Sequence, residues 1–363
     1  MSNTKPFILR KPVLIPLIIL LALLLIVFAV VFPIVSVSVY DSIFKIRIQT
    51  PEHVVFTADD YEGLHSETVS FTAKQGHNLV GYKYTHDNVE APRGVAILVH
   101  GFGGGGHCGY MPVIEYVARS GYAVFSYDAT GNDASEGEYV GGFPQGVMDL
   151  DYAINYVKAD PDYAGLPIVL IGHSWGAYSI GNVLNFQTDI RAAVLFAGFN
   201  ESKLLIRQTG LSYVGGLVDL MVPYVQAYEW FKFGKYAPTS ANEGFSAAEN
   251  CKVLVVHSKD DGTVWPENGY DLFYEAHGDN DRVSFALYET RGHDDLFYSE
   301  DTIAYRREVN DAYYTYIEEN GLEDNNASRA AYRRDCIDYS EYYKLDDGIM
   351  GQVIALFDAA TAE

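Results

Sequence analysis

The stretch IVLIGHSWGAYSI, Ile168–Ile180, sets one serine between two glycines at the end of an apolar run. Its first four residues are continuously apolar, as a strand covered on both faces by helices must be. A strand that ends in Gly-X-Ser-X-Gly and runs straight into a helix makes a sharp turn, which holds the serine hydroxyl above the sheet. Gly172 and Gly176 are required there because the turn brings neighbouring backbone too close for a Cβ. A helix beginning near Trp175 aims free N–H groups and its positive dipole end at an oxygen that becomes negative during attack on a carbonyl. Ser174 is therefore a candidate nucleophile. The plainer alternative is a glycine-softened turn.

Outward from this turn the pattern alternates short apolar runs with longer amphipathic ones. Strands are expected at Thr68–Ala73, Leu79–Tyr84, Val95–His100, Tyr122–Tyr127, Ile168–Ile171, Ala192–Ala197, Val253–His257 and Val283–Tyr288. The first two alternate apolar and polar residues, like a half-exposed antiparallel hairpin, whereas VAILVH and VLVVH are buried-strand sequences. Phe143, Val147, Leu150, Ile154 and Val157 form one helical stripe. Strands alternating with helices predict an α/β fold: about eight mostly parallel strands flanked by helices. Residues 200–250 are too long for a simple crossover and contain LSYVGGLVDLMVPYVQAYEWFKF. They are expected to form a helical cap insertion, either covering the active site or packing on the core.

A serine hydroxyl needs a base, and the base needs an orienting acid. VLVVHSKDDGTV places Asp260 and Asp261 just past one strand, and FALYETRGHDDLF places His293 just past the next. LVHGFGGGGHCG, Leu98–Gly109, ends a third strand in glycines, so backbone N–H groups there can approach a carbonyl oxygen unobstructed. The N–H of Phe102 and that of Trp175 are the candidate oxyanion hole. No Lys-Ser/Thr follows the glycines, which argues against a nucleotide loop. The spacing of His100, His107 and His173 matches no metal motif. No cofactor and no metal are expected, and His100 is read as a structural residue of its loop.

The formal net charge is −23, and because residues 1–40 carry three Lys/Arg and no Asp/Glu, the rest of the chain stands at 22 minus 48, or −26. Such a field repels nucleic acid, and no protein partner is indicated. Cys108, Cys251 and Cys336 show no metal spacing and, being odd in number, form no fully paired disulfide framework. From Pro12 to Tyr40 there are 29 residues without a charge, and about 20 span the hydrocarbon core as a helix. Lys5, Arg10 and Lys11 precede the run, which predicts a cytoplasmic N-terminus and an extracytoplasmic catalytic domain in a single-pass cell-membrane protein. The alternative is secretion after signal cleavage near Ser36–Ser38. The run is longer than the roughly 7–15 residues of a signal peptide's apolar region, which favours the anchor. The expected organisation is a cytoplasmic N-terminus over 1–11, an anchor over 12–40, a linker over 41–66, the α/β domain over 67–319 and an acidic tail over 320–363.

Across roughly Glu67–Tyr316 the sequence resembles the α/β-hydrolase family. The resemblance rests on HGFGG at His100–Gly104, GHSWG at Gly172–Gly176, HSKDDGTV at His257–Val264 and RGH at Arg291–His293. DATGNDASEG, Asp128–Gly137, is similar to a stretch of the monoacylglycerol-lipase and serine-aminopeptidase-like branch, with Thr130 and Asp133 where Arg and Gly are usual. The resemblance implies a serine hydrolase with Ser174 as nucleophile, His293 as base and Asp261 as acid. The family's Gly-x-x-Asp-x-x-Val pattern, aligned to Val264, selects Asp261 and has Ser258 at its glycine, which leaves Asp260 as an alternative acid. The expected activity is cleavage of a small-molecule or lipid-like carboxylic ester. An aminopeptidase or acyltransferase on the same triad, or a non-catalytic anchored binding module, remain the alternatives.

Overall fold

The computed structural model describes residues 11–74 and 76–362. Lys5 and Arg10, two of the charges that orient the apolar run, lie outside the described residues. Eight strands form one sheet: β1 (Leu64–Thr72), β2 (Asn78–His86), β3 (Val95–Val99), β4 (Ala123–Tyr127), β5 (Ile168–His173), β6 (Ala192–Phe196), β7 (Lys252–Ser258) and β8 (Val283–Tyr288). Their spatial order is β1-β2-β4-β3-β5-β6-β7-β8. β2 runs antiparallel to β1 and β4, and every other pairing is parallel. This is the expected mostly parallel sheet with an antiparallel hairpin at one edge.

The helices are α1 (Lys11–Ile26), α2 (Phe32–Phe44), α3 (Met111–Arg119), α4 (Phe143–Ala159), α5 (Trp175–Val183), α6 (Ser202–Val214), α7 (Val218–Phe233), α8 (Ala241–Ala247), α9 (Tyr270–His277), α10 (Glu300–Glu319), α11 (Asn326–Cys336), α12 (Tyr339–Tyr342) and α13 (Asp347–Thr361). The strand period of two divides the core. Ile97, Phe125, Leu170, Leu195 and Val255 face α4, α5, α8 and α9, while Leu98, Val124, Ile171, Val194 and Val256 face α3 and α13.

At the C-terminus the structure departs from the expected organisation. Residues 320–363 were expected to be an acidic tail outside the α/β domain. Instead α13 covers the sheet, burying Ile349, Met350, Val353 and Phe357 in the same core as β6 and β7. α10 shares a smaller tyrosine-rich core with α11 and α12, built from Val309, Tyr313, Tyr332, Ile337 and Tyr342. The acidic residues between the two helices mask a stripe at 349, 353, 357 and 360 that is helical in period.

The linker also proves to be built structure. α1, a π-helical turn at Val27–Val31 and α2 form one helical run that continues past residue 40, with Tyr40 and Phe44 only 2% exposed. Phe44 packs against Phe102 and Phe143. Beyond it, Ile48 pairs with Asn132, and Arg47 donates to the carbonyls of Asp133, Ser135 and Gly137. The first strand then starts at Leu64, earlier than the expected boundary.

α6 and α7 form a hairpin within the 200–250 insertion, and α7 lies along the N-terminal helix. Tyr228 donates to Asp41 Oδ1 at 3.0 Å, and Tyr40 and Ser202 both donate to Glu229 Oε1. Burial raises the Glu229 pKa to about 7. A further contact follows from a proline. Phe32 N–H bonds to Val27 O, and Pro33 has no N–H, so the Phe28 carbonyl has no helical donor four or five residues on. The Tyr224 hydroxyl donates to that carbonyl at 2.6 Å.

Candidate active site

Ser174 stands between β5 and α5 at φ 55°, ψ −115°, a conformation strained for a residue with a Cβ. Its N–H is held by the Phe196 carbonyl at 2.8 Å. A Cβ on Gly176 would overlap the Val99 carbonyl, and one on Gly172 would crowd both Val99 and Gly176. The two glycines therefore let β3, β5 and α5 meet closely enough to form the turn. Ser174 is 8% exposed. Its hydroxyl makes no hydrogen bond to a described residue, and such catalytic contacts tighten when substrate is present.

His293 follows β8 and donates through Nδ1 to Asp261 Oδ2 at 2.8 Å. The other carboxylate oxygen of Asp261 accepts from Thr263 N–H at 2.9 Å and Val264 N–H at 2.8 Å. Burial opposes ionisation of Asp261, but the hydrogen bond and charge of His293, with the Val264 N–H, hold its pKa below the ordinary carboxylate range. Asp260 points elsewhere: its Oδ1 accepts from Ser258 Oγ at 2.6 Å and Gly292 N–H at 2.8 Å. Ser258 Oγ also accepts from Arg291 N–H. The serine that replaces a glycine thus ties the acid-bearing loop to the histidine-bearing one.

A relay that motif reading missed connects the remaining parts. His173 Nε2 lies 2.9 Å from the His293 carbonyl oxygen, which only accepts, so Nε2 carries the proton. Nδ1 then accepts from the Tyr110 hydroxyl at 3.0 Å, and Tyr110 in turn accepts from Gly101 N–H. Burial and the neighbouring His293 push the His173 pKa down to about 4, so the ring is neutral at ordinary pH. The glycine loop, the serine turn and the histidine loop are thereby joined. Tyr110 carried no signal in the sequence beyond its closeness to the glycines.

Phe102 and Trp175 occupy the glycine loop and the first position of α5. Among the described residues neither backbone N–H donates to a protein acceptor. His100, in the same loop, bridges Gly101 O and Ala129 N–H. Ligating atoms of His173, His293 and Asp294 lie within 4.8 Å of one another. Both ring nitrogens of His173 and Nδ1 of His293 are already bonded, so this donor set fits a hydrogen-bond network better than a cation. Cys108, Cys251 and Cys336 are free thiols.

Known proteins share parts of this sequence and its fold. Residues 90–229 match the family described as serine aminopeptidase, S33. The uncharacterized protein YfhR of Escherichia coli K12 is 26% identical over 162 residues, 44% of this chain and 55% of that protein. The monoglyceride lipase of Rattus norvegicus is 36% identical over 88 residues, 23% of this chain and 28% of that one. The chain thus spans about half, or less, of the length of these curated relatives. An esterase structure from Pyrococcus furiosus aligns with a TM-score of 0.52 at 18% identity, covering 78% of this chain and 98% of that one. This chain has the α/β-hydrolase fold.

Two positions at which Asp128–Gly137 departs from the stretch it resembles have a structural reason. Asp133, at φ 33° where glycine is usual, accepts from Thr50 N–H at 2.6 Å and from Gly106 N–H at 2.8 Å. It clamps the segment after the N-terminal helix onto the glycine loop. Thr130 replaces arginine and binds Asp149 through both its N–H and its hydroxyl. Burial raises the Asp149 pKa to about 6.

Proposed function

We propose that this chain is a membrane-anchored serine esterase acting on carboxylic esters through an acyl-serine intermediate. The observation that carries the reading is the placement of Ser174, His293 and Asp261 at the ends of β5, β8 and β7, with Asp261 hydrogen-bonded to His293. In the first half-reaction His293 Nε2 takes the Ser174 proton as Oγ attacks the ester carbonyl. The Phe102 and Trp175 N–H groups stabilise the oxyanion, and the protonated His293 returns its proton to the departing alkoxide. Water then attacks the acyl-serine by the same route, releasing the acid. Asp261 holds the proton on His293 Nδ1 and stabilises the imidazolium. No cofactor or metal enters either half-reaction.

The described helical run Leu14–Phe44 is long and apolar enough to cross a membrane. We read it as a single-pass anchor with the catalytic domain on the extracytoplasmic side. The match to serine aminopeptidases supports a second reading, in which the same residues cleave an N-terminal amide. The apolar surroundings of Phe102 favour the ester. The test is labelling of the full chain by a fluorophosphonate beside Ser174→Ala, followed by hydrolysis of nitrophenyl acetate and of an aminoacyl nitroanilide. Labelling of wild type alone, with ester turnover, is expected. Equal labelling of the two proteins refutes the serine mechanism, and turnover of the anilide alone replaces esterase by aminopeptidase.

A further inference from the structure

An apolar groove of about 460 Å³ runs between α2 and the α6–α7 hairpin. Val39, Ile43 and Phe44 form one wall, Ile206, Met221 and Val225 the other, and Phe143 closes the inner end. No lining residue is charged. We propose that this groove holds the acyl tail of an uncharged lipid ester drawn from the same bilayer that anchors the protein. This rests on the anchored-esterase reading and makes the anchor one wall of the substrate site.

The inner end abuts a chain of aromatic rings that runs to the residue after Ser174. Phe44 and Phe143 rings pack at 4.8 Å between centroids, Phe102 packs against both, and Phe102 meets Trp175 at 5.9 Å. A tail lying in the groove therefore points its carbonyl end toward the residues whose N–H groups form the proposed oxyanion hole. From Ser36 to Phe44 the helix rises by roughly 12 Å, enough for a tail of several methylenes.

The outer end opens at the membrane. Tyr224 of α7 bonds to the Phe28 carbonyl, which lies inside the uncharged run. Near the bend between α6 and α7, Tyr213, Val214, Leu217 and Leu220 are exposed together, and a contiguous apolar patch of this kind marks a lipid or protein contact. Contact with the anchor at Phe28 places that bend at the bilayer surface, which selects lipid. The strongly negative catalytic domain repels anionic headgroups, so the ester that enters is a neutral one.

Two measurements on the full chain in phosphatidylcholine vesicles test this. In the first, Ser174→Ala is irradiated with a neutral long-chain ester carrying a diazirine in its tail. Adducts are expected within residues 206–225, falling about tenfold when Val39→Trp or Thr209→Trp fills the groove, equivalent to displacing fewer than two methylenes at about fourfold each. Adducts confined to residues 14–34, or unchanged by both tryptophans, overturn the proposal. In the second, the ratio of kcat/KM for nitrophenyl decanoate to that for nitrophenyl acetate is compared between wild type and the two tryptophan variants, with Tm checked for each. A lower ratio supports the groove, and an unchanged ratio overturns it. Should neither ester be turned over, the esterase reading fails, and the cross-linking result still decides the groove.

Discussion

Asp261→Asn is the sharpest perturbation of the proposed triad, because the surrounding backbone dictates how the new side chain sits. Thr263 and Val264 both aim N–H groups at one carboxylate oxygen, at 2.9 and 2.8 Å. In the variant those donors require the amide oxygen at that position, so the NH₂ faces His293 Nδ1. That nitrogen must then accept, and the imidazole proton moves to Nε2, the atom that has to receive the proton of Ser174. The serine is left beside a donor rather than a base. Turnover is expected to fall by about 10⁴, or about 5.5 kcal/mol of lost transition-state stabilisation. Asp260→Asn is the comparison: it perturbs bonds to Ser258 and Gly292 N–H rather than the imidazole. One neutral hydrogen bond is worth about 1 kcal/mol, so a loss of roughly fivefold is expected there. The assay is nitrophenyl acetate hydrolysis by the full chain in detergent, with thermal unfolding showing that both variants remain folded. A loss below tenfold in Asp261→Asn, or an equal loss in Asp260→Asn, refutes the assignment.

Phe357 is fully buried against Tyr122 beneath the sheet, so Phe357→Ala should cost about 3–5 kcal/mol in a urea titration. A cost under about 1 kcal/mol would return residues 320–363 to the status of a tail. The buried pair His107–Asp128 supplies a pH dependence of stability. Burial opposes the charged imidazole, but the hydrogen bonds and charges of Asp128 and Cys108 raise its pKa to about 9. Its contribution is therefore complete below the unfolded-state value of about 6.5 and is lost as pH rises through about 9, at roughly 1.4 kcal/mol per pH unit between the two. The urea midpoint of wild type should fall over that window more steeply than that of His107→Asn, and parallel slopes would contradict the paired-charge account.

What could be read from the chain was whatever repeats or punctuates. The continuously apolar strands, the alternating hairpin and the three strand-end motifs are local patterns, and each element is present in the structure, the first strand beginning at Leu64 rather than Thr68. Asp261 was preferred to Asp260 through a family spacing, and the geometry supplies the physical distinction: only Asp261 faces His293. The parts that escaped depend on pairs distant in sequence. Nothing local to Tyr110 announces a bond to His173, and Arg47 gives no hint that it grips residues 133–137. Asp133 looked like a blemish in a motif, because its partners Thr50 and Gly106 lie in segments the motif does not include.

Continuity between the N-terminal helix and the catalytic domain also has a mechanical consequence. Arg47, Asp133, Phe44 and Tyr40 fasten the end of the rod at several points, with no loose joint between rod and body. Up to Val39, before the buried Tyr40, the run from Leu14 is roughly 39 Å long, against about 30 Å of hydrocarbon. Such a helix accommodates a thinner bilayer by tilting. In the proposed anchor that tilt would be transmitted as a rotation of the whole domain against the surface. On the anchored reading, membrane thickness becomes an angular setting for the mouth beside α7, and the same polypeptide would present that mouth differently in a thin membrane and a thick one.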